Sequence, residues 1–159
     1  MTYEASAGRG SETARNIALV NYGLLFAAVF FAGVPALIAV IIAYAQRDEA
    51  TPTLRSHHDF QIRIFWIAFA LTLAAGICFL AAIVSGVGAL LEFTRVNGWD
   101  SFDSIQIDLS RLSIDGTIVG LVVASIVLTF LGAVWLITAP AFGFIRLASE
   151  RPIGHHAAS

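Results

Sequence analysis

The sequence contains one cysteine and no lysine, and only 13% of its residues are charged. An ordinary soluble domain has about 25% charged residues. The single cysteine, Cys78, excludes an intramolecular disulfide and therefore a disulfide-stabilised scaffold. All nine cationic residues are arginine and the formal net charge is −2, which does not fit the clustered basic face of a nucleic-acid-binding protein. We therefore expect no nucleic-acid partner.

Charge is missing above all from three long runs, residues 16–46, 64–91 and 116–145, which contain no Asp, Glu, Lys or Arg. A helix that crosses the hydrocarbon core of a bilayer needs about 20 apolar residues. Each run is longer than that. The sequence therefore predicts an all-α integral membrane protein with three long transmembrane helices, surrounded by membrane lipid.

The remaining segments are too short to bury a soluble core of their own. We predict a flexible N-terminal tail at 1–15, a single membrane domain at 16–148 and a C-terminal tail at 149–159. The spans are expected at about 16–46, 60–92 and 116–146. The polar connection at 93–115 carries apolar residues at steps of three and four, which predicts a short amphipathic helix at the membrane surface. A short strand is the alternative there. The apolar positions are Phe102, Ile105, Leu109 and Leu112.

Glycine, alanine and proline predict where the helices pack and bend. Gly33 and Pro35 interrupt the first run near its middle, so we expect a local kink packed against a neighbouring helix. Gly116, Gly120 and Ala124 recur at four-residue steps in the third run and predict a face that another helix can approach closely. Pro140 is expected to bend or end that helix before Gly143.

The densest polar stretch is a candidate functional cluster at the start of the second span. We expect Ser56 to cap this helix, which then begins near His57 with Asp59 close to the favourable end of the helix dipole. The alternative is a metal site formed by His57, His58 and Asp59 and joined by His155 and His156 of the C-terminal tail. Adjacent helical residues point about 100° apart, which does not favour two neighbouring histidines on one ion. The cluster consists of Ser56, His57, Asp59, Gln61, Arg63 and Trp66.

Arg63 borders the apolar run and has two interpretations. It can extend to the membrane interface beside Trp66, or it can contact a lipid phosphate, an acidic loop residue or a partner subunit.

No carboxylate, lysine or histidine lies within the three runs, so nothing predicts haem ligation, a proton path or catalysis. Cofactors, metals and enzyme activity are not expected. The polar side chains inside the runs, such as Asn21, Tyr22, Thr129 and Thr138, are expected to bond backbone carbonyls or neighbouring helices.

Several motifs resemble an uncharacterised bacterial family of small multipass membrane proteins, distantly similar to the membrane component of chloroplast protein import. The resemblance lies in the run from Pro35 to Tyr44, Arg47-Asp48-Glu49-Ala50, Ser56-His57, Phe60-Gln61-Ile62-Arg63, Phe65-Trp66, Val134-Trp135, Gly143, Arg146-Leu147 and Pro152-Ile153. The chain departs from the pattern at Ala139-Pro140, where an arginine-containing turn would be expected. The resemblance implies three or four membrane helices and no established activity. We expect a bacterial inner-membrane location.

Arginine counts on the two sides of a three-span arrangement are four and five, which slightly favours a periplasmic N-terminus and a cytoplasmic C-terminus. We expect a non-catalytic protein that acts by helix packing, as an accessory or assembly subunit of a larger membrane complex. Its partner would be another membrane protein or a second copy of the chain. The alternative is a small channel or translocase component that moves ions, small solutes or polypeptide.

Overall fold

Every regular element in the described part of the chain is helical, as the sequence predicted. The computed structural model describes residues 2–97, 116–149, 151 and 153. Helix α1 spans Thr2–Ala27, α2 spans Val34–Arg47, α3 spans Pro52–Asn97 and α4 spans Gly116–Ala148. The predicted flexible tail is therefore helical from Thr2. Its flexibility stays a prediction, and the amphipathic positions of the polar connection lie outside the described residues.

In the part of the chain that the structure describes, two helices, not three, are long and apolar enough to cross a membrane. They are α3, over Pro52–Glu92, and α4, over Gly116–Ala148. The predicted spans at 60–92 and 116–146 lie inside them. The predicted span at 16–46 is wrong as one helix, because that run is divided between α1 and α2. Helix α2 has 14 residues, and apolar segments of that length pack inside proteins or enter a membrane without crossing it.

The first run breaks because its backbone turns at residues 28–33. Ala32 and Gly33 have positive φ angles of 50° and 82°, which end a helix and which glycine adopts without steric cost. The Gly33 N–H donates to the Ala28 carbonyl at 3.0 Å and closes the turn. Pro35 then lies in the first turn of α2, where its missing N–H leaves no helical bond unmade. The predicted kink is instead a complete break.

Helices α1 and α2 pack against each other as an antiparallel hairpin. The Asn21 Nδ2 group donates to the Ala39 carbonyl at 2.9 Å, across 18 residues of sequence. Small buried side chains at Ala18, Ala36 and Ala43 let the two backbones approach closely. The run that was predicted to cross the membrane therefore turns back on itself.

Helix α3 begins at Pro52, five residues before the predicted start at His57. Proline is favoured in the first helical turn because its fixed φ suits the helix and its missing N–H has no partner to lose there. Ser56 is consequently inside the helix, and its hydroxyl donates to the Thr53 carbonyl at 2.6 Å instead of capping the helix. Helix α4 continues through Pro140 to Ala148, so the prediction that Pro140 could end this helix before Gly143 is wrong.

The chain divides into two compact units, to both of which α3 and α4 contribute residues. The first comprises the described residues of Met1–Ala70 and Leu131–Ser159, and its core contains Tyr22, Leu25 and Ile64. The second, Leu71–Phe130, buries small side chains and exposes large ones. Its buried residues include Ala75, Ala82 and Ser125, whereas Phe79, Leu80, Leu91, Ile126 and Phe130 are exposed. This pattern is typical of helices surrounded by lipid.

Candidate functional site

The predicted polar cluster separates onto two faces of α3. His57 and Gln61 are four residues apart, so they share one face, and both are fully buried. Asp59, Arg63 and Trp66 lie on another face and are exposed. The cluster is therefore a set of interior contacts on one side and a polar surface on the other.

Gln61 is the centre of a buried hydrogen-bond network that joins three helices. Its Nε2 group donates to the Ala18 carbonyl of α1 at 3.0 Å. Its Oε1 atom accepts from Asn21 Nδ2 at 2.7 Å and lies 3.2 Å from His58 Nδ1. Through the bond from Asn21 to Ala39, the same network reaches α2. One side chain of α3 thus holds the hairpin in place.

The Gln61 contact also determines which nitrogen of His58 carries hydrogen. The bond from Gln61 Nε2 to the Ala18 carbonyl fixes the orientation of the amide and leaves Oε1, which can only accept, beside His58. His58 Nδ1 must therefore donate, and the neutral ring keeps an acceptor lone pair at Nε2. The Asn21 Oδ1 atom, in contrast, is buried without a partner among the described residues, which reduces stability.

His57 joins α1 to the end of the chain. Its Nε2 atom lies 3.0 Å from the Arg151 carbonyl, which can only accept, so Nε2 carries the hydrogen. Nδ1 then accepts the hydroxyl hydrogen of Tyr22 at 3.0 Å. Beside this contact, the Ile153 N–H donates to the Ser56 hydroxyl at 3.2 Å. The start of α3 and the residues that follow α4 are therefore held together.

His57 and His58 bond to different partners, so the structure does not bring them to one ion. Within residues 2–97 and 116–149, no group of three His, Cys, Asp or Glu side chains is arranged to hold a metal. Two further histidines of the alternative metal site, His155 and His156, lie outside the described residues.

The exposed face of α3 makes contacts with α2. Arg47 Nε lies 2.6 Å from Asp59 Oδ1, an ion pair by distance that lacks the alignment of a hydrogen bond. Both side chains are substantially exposed, and such pairs contribute about 0–1 kcal/mol. The Trp66 Nε1 group donates to the Tyr44 hydroxyl at 3.2 Å. Arg63 is exposed, and Arg47 rather than Arg63 forms the ion pair on this face.

The predicted packing residues occupy different surroundings. Gly33 ends the turn between α1 and α2, and Pro35 lies in the first turn of α2. Gly116 and Gly120 are exposed, and a methyl group added to either would meet no atom within 4 Å. Ala124 is half-buried. The tight glycine contact within the first unit lies instead at Gly143, where an added methyl group would overlap the buried ring of Tyr22.

Gly143→Ala is expected to lower the free energy of unfolding by about 1–3 kcal/mol, because the new methyl group displaces Tyr22 from a packed interior. The measurement is unfolding in mixed detergent micelles as the SDS fraction rises, followed by tryptophan fluorescence. Gly76→Ala is the matched control, since it is also helical and a methyl group there meets nothing within 4 Å. Equal stability of the two variants would contradict the contact.

Asn21, Tyr22 and His58 belong to the network but were not among the predicted cluster residues. Asn21 and Tyr22 carried a signal, since they are polar side chains inside an uncharged run. The expectation that such groups bond backbone carbonyls is confirmed for Asn21 and also for Thr129 and Thr138, whose hydroxyls donate to the carbonyls four residues earlier. His58 belonged to the alternative metal site. Its partner Gln61 belonged to the predicted cluster, but the sequence indicated no specific contact for it.

No family model, curated protein or solved structure matches this chain. The resemblance to the bacterial membrane family therefore stays a prediction from its motifs.

Proposed function

We propose that this chain is a non-catalytic protein of the bacterial inner membrane, acting by helix packing as an accessory or assembly subunit of a larger membrane complex. The proposal rests on the hydrogen bonds of the buried polar side chains. Gln61, His57 and Asn21 bond other helices and the chain end. These contacts hold α1, α2 and α3 in one arrangement, so each of these buried polar groups serves as a structural hydrogen-bond partner.

The partner we propose is a membrane helix that packs on the first half of α4. Gly116 and Gly120 lie one turn apart, and both are open. Two glycines at this spacing favour close approach of a second backbone, which gains packing contacts and weak hydrogen bonds that lipid chains do not supply. The large exposed side chains beside them, Val119 and Val123, would flank the incoming helix.

We propose further that both chain ends face the cytoplasm. The hairpin returns the end of α2 to the side on which α1 begins, and the hydrogen bond between His57 and Arg151 keeps the segment just after α4 there as well. Seven arginines then lie on one side and two on the other. The seven are Arg9, Arg15, Arg47, Arg55, Arg63, Arg146 and Arg151, and the two are Arg95 and Arg111. The positive-inside bias is thus seven against two, where three spans had divided the same nine residues as four and five.

Gly120→Leu tests the subunit proposal. The tagged full-length chain is purified in mild detergent, and we expect a stoichiometric membrane partner whose recovery falls about tenfold in the variant, because the leucine side chain keeps the backbones apart. Gly76→Leu is the matched control, with the same change at an open helical glycine of α3, and should retain the partner. A monomer without partners would contradict the proposal, as would equal partner recovery from both variants.

A further inference from the structure

A cleft of about 670 Å³ opens between the first half of α1 and the end of α2. Thr13, Ala14 and Ile17 line it from α1, and Gln46, Glu49 and His58 line it from the segments that follow. Its volume falls in the range of small-molecule binding sites, about 300–1,000 Å³. The cleft lies entirely within the first compact unit.

His58 presents a defined atom to this cleft. The side chain is 1% exposed, and its ring is held by the bond from Nδ1 to Gln61 Oε1. That bond places the ring hydrogen on Nδ1, so the neutral ring has an acceptor at Nε2. Within the described residues, the hydrogen bond of the His58 ring is the one from Nδ1, so Nε2 keeps its lone pair. Because the ring lines the cleft and Nδ1 is already bonded to Gln61, Nε2 is the ring atom left to accept from a ligand.

Glu49, in the turn between α2 and α3, lines the same cleft and carries a carboxylate. An acceptor nitrogen and a carboxylate both favour a ligand with a positive charge and N–H donors. An anion would meet a negative charge here, and a metal ion would find two of the four ligands that zinc usually takes from a protein. Ala14 and Ile17 add an apolar wall, which suits a carbon chain attached to the charged group.

We propose that the cleft binds a primary ammonium group attached to an apolar chain, with N–H groups donated to the Glu49 carboxylate and to His58 Nε2. Two sources share this chemistry: the headgroup of an aminophospholipid and a free alkylamine. A quaternary ammonium group has the same charge but no N–H donor, so it should bind more weakly. The site is separate from the helix-packing face on α4 and does not depend on the subunit role.

The test uses the purified full-length chain in detergent and native mass spectrometry. The probes are phosphatidylethanolamine, phosphatidylcholine and octylamine. We expect phosphatidylethanolamine to bind at least about tenfold more tightly than phosphatidylcholine, since the hydrogen bonds to the ammonium group are charge-assisted. Tight, variant-sensitive binding of octylamine without binding of phosphatidylethanolamine would instead identify a free amine as the source.

Three variants locate the site. His58→Asn retains an N–H for Gln61 and removes the Nε2 acceptor, so binding should weaken about tenfold. Glu49→Gln removes the charge of an exposed carboxylate and should weaken binding about fivefold. Asp48→Asn, the matched control at the neighbouring exposed carboxylate, should change binding less than about twofold.

Equal binding of the two phospholipids together with no binding of octylamine would overturn the proposal. So would amine binding that Glu49→Gln and Asp48→Asn weaken to the same degree. Because His58 is buried, unfolding of its variant would leave Glu49→Gln, a surface change, to decide the matter.

Discussion

Gln61→Leu is expected to lower the free energy of unfolding by about 2–5 kcal/mol. The leucine removes both polar atoms of a fully buried side chain, so His58 Nδ1–H loses its described hydrogen-bond partner and the Ala18 carbonyl keeps only its bond within α1. Asn21 keeps its bond to Ala39 but loses its second acceptor. A buried polar group left without a partner costs about 1–3 kcal/mol. The measurement is SDS-induced unfolding in mixed micelles.

Gln46→Leu is the matched control for this prediction, since it makes the same chemical change at a half-buried position on the cleft. It should change stability by less than about 0.5 kcal/mol. A double variant, Asn21→Leu with Gln61→Leu, tests whether the loss comes from the network. The two losses should sum to more than the double variant shows, because both substitutions break the same bond. Gln61→Leu with wild-type stability would show that the network does not hold the hairpin.

The second and third spans could be predicted from the sequence because α3 and α4 depend on local information. Uninterrupted apolar runs with charged ends define each helix, and the predicted spans at 60–92 and 116–146 lie inside Pro52–Asn97 and Gly116–Ala148. The boundary of α3 was less accurate. The helix begins at Pro52, one turn before Ser56. Ser56 has the side chain of a capping residue, but its position inside the helix prevents that role.

The first run resembles a single span because it is longer than a bilayer crossing needs and only Gly33 and Pro35 interrupt it. Gly33 followed by Pro35 is also the pattern of one helix ending and another beginning. A kink and a full reversal share that pattern, and the difference depends on the two positive φ angles at Ala32 and Gly33. The reversal is then stabilised by Asn21 bonding to Ala39, a contact that local sequence does not reveal.

The candidate site was predictable in position but not in its connections. The four-residue spacing of His57 and Gln61 is that of two residues on one helix face. Gln61 bonds Ala18, which is 43 residues earlier in the chain, and His57 bonds Tyr22, which is 35 residues earlier. Only the folded chain brings these residues together. The same applies to the cleft, which exists because the start of α1 and the end of α2 lie side by side.

Because the first run reverses its direction, we expect both termini on the same side of the membrane. Helix α3 has 46 residues and is about 69 Å long at 1.5 Å per residue, so its two ends lie on opposite sides of any bilayer it crosses. Helix α4 returns. With α1 and α2 as a hairpin, two crossings separate the N-terminus from the C-terminus, and both ends should face the same side. Three spans would place them on opposite sides.

Single-cysteine labelling in cells measures this directly. In a chain with Cys78→Ala, Ser6→Cys and Ser159→Cys report the two termini, and Ser101→Cys reports the connection between α3 and α4. We expect a membrane-impermeant maleimide to label the connection from outside, and to label both termini only after the membrane is permeabilised. Labelling of one terminus from outside and the other only from inside would contradict the hairpin and restore three crossings.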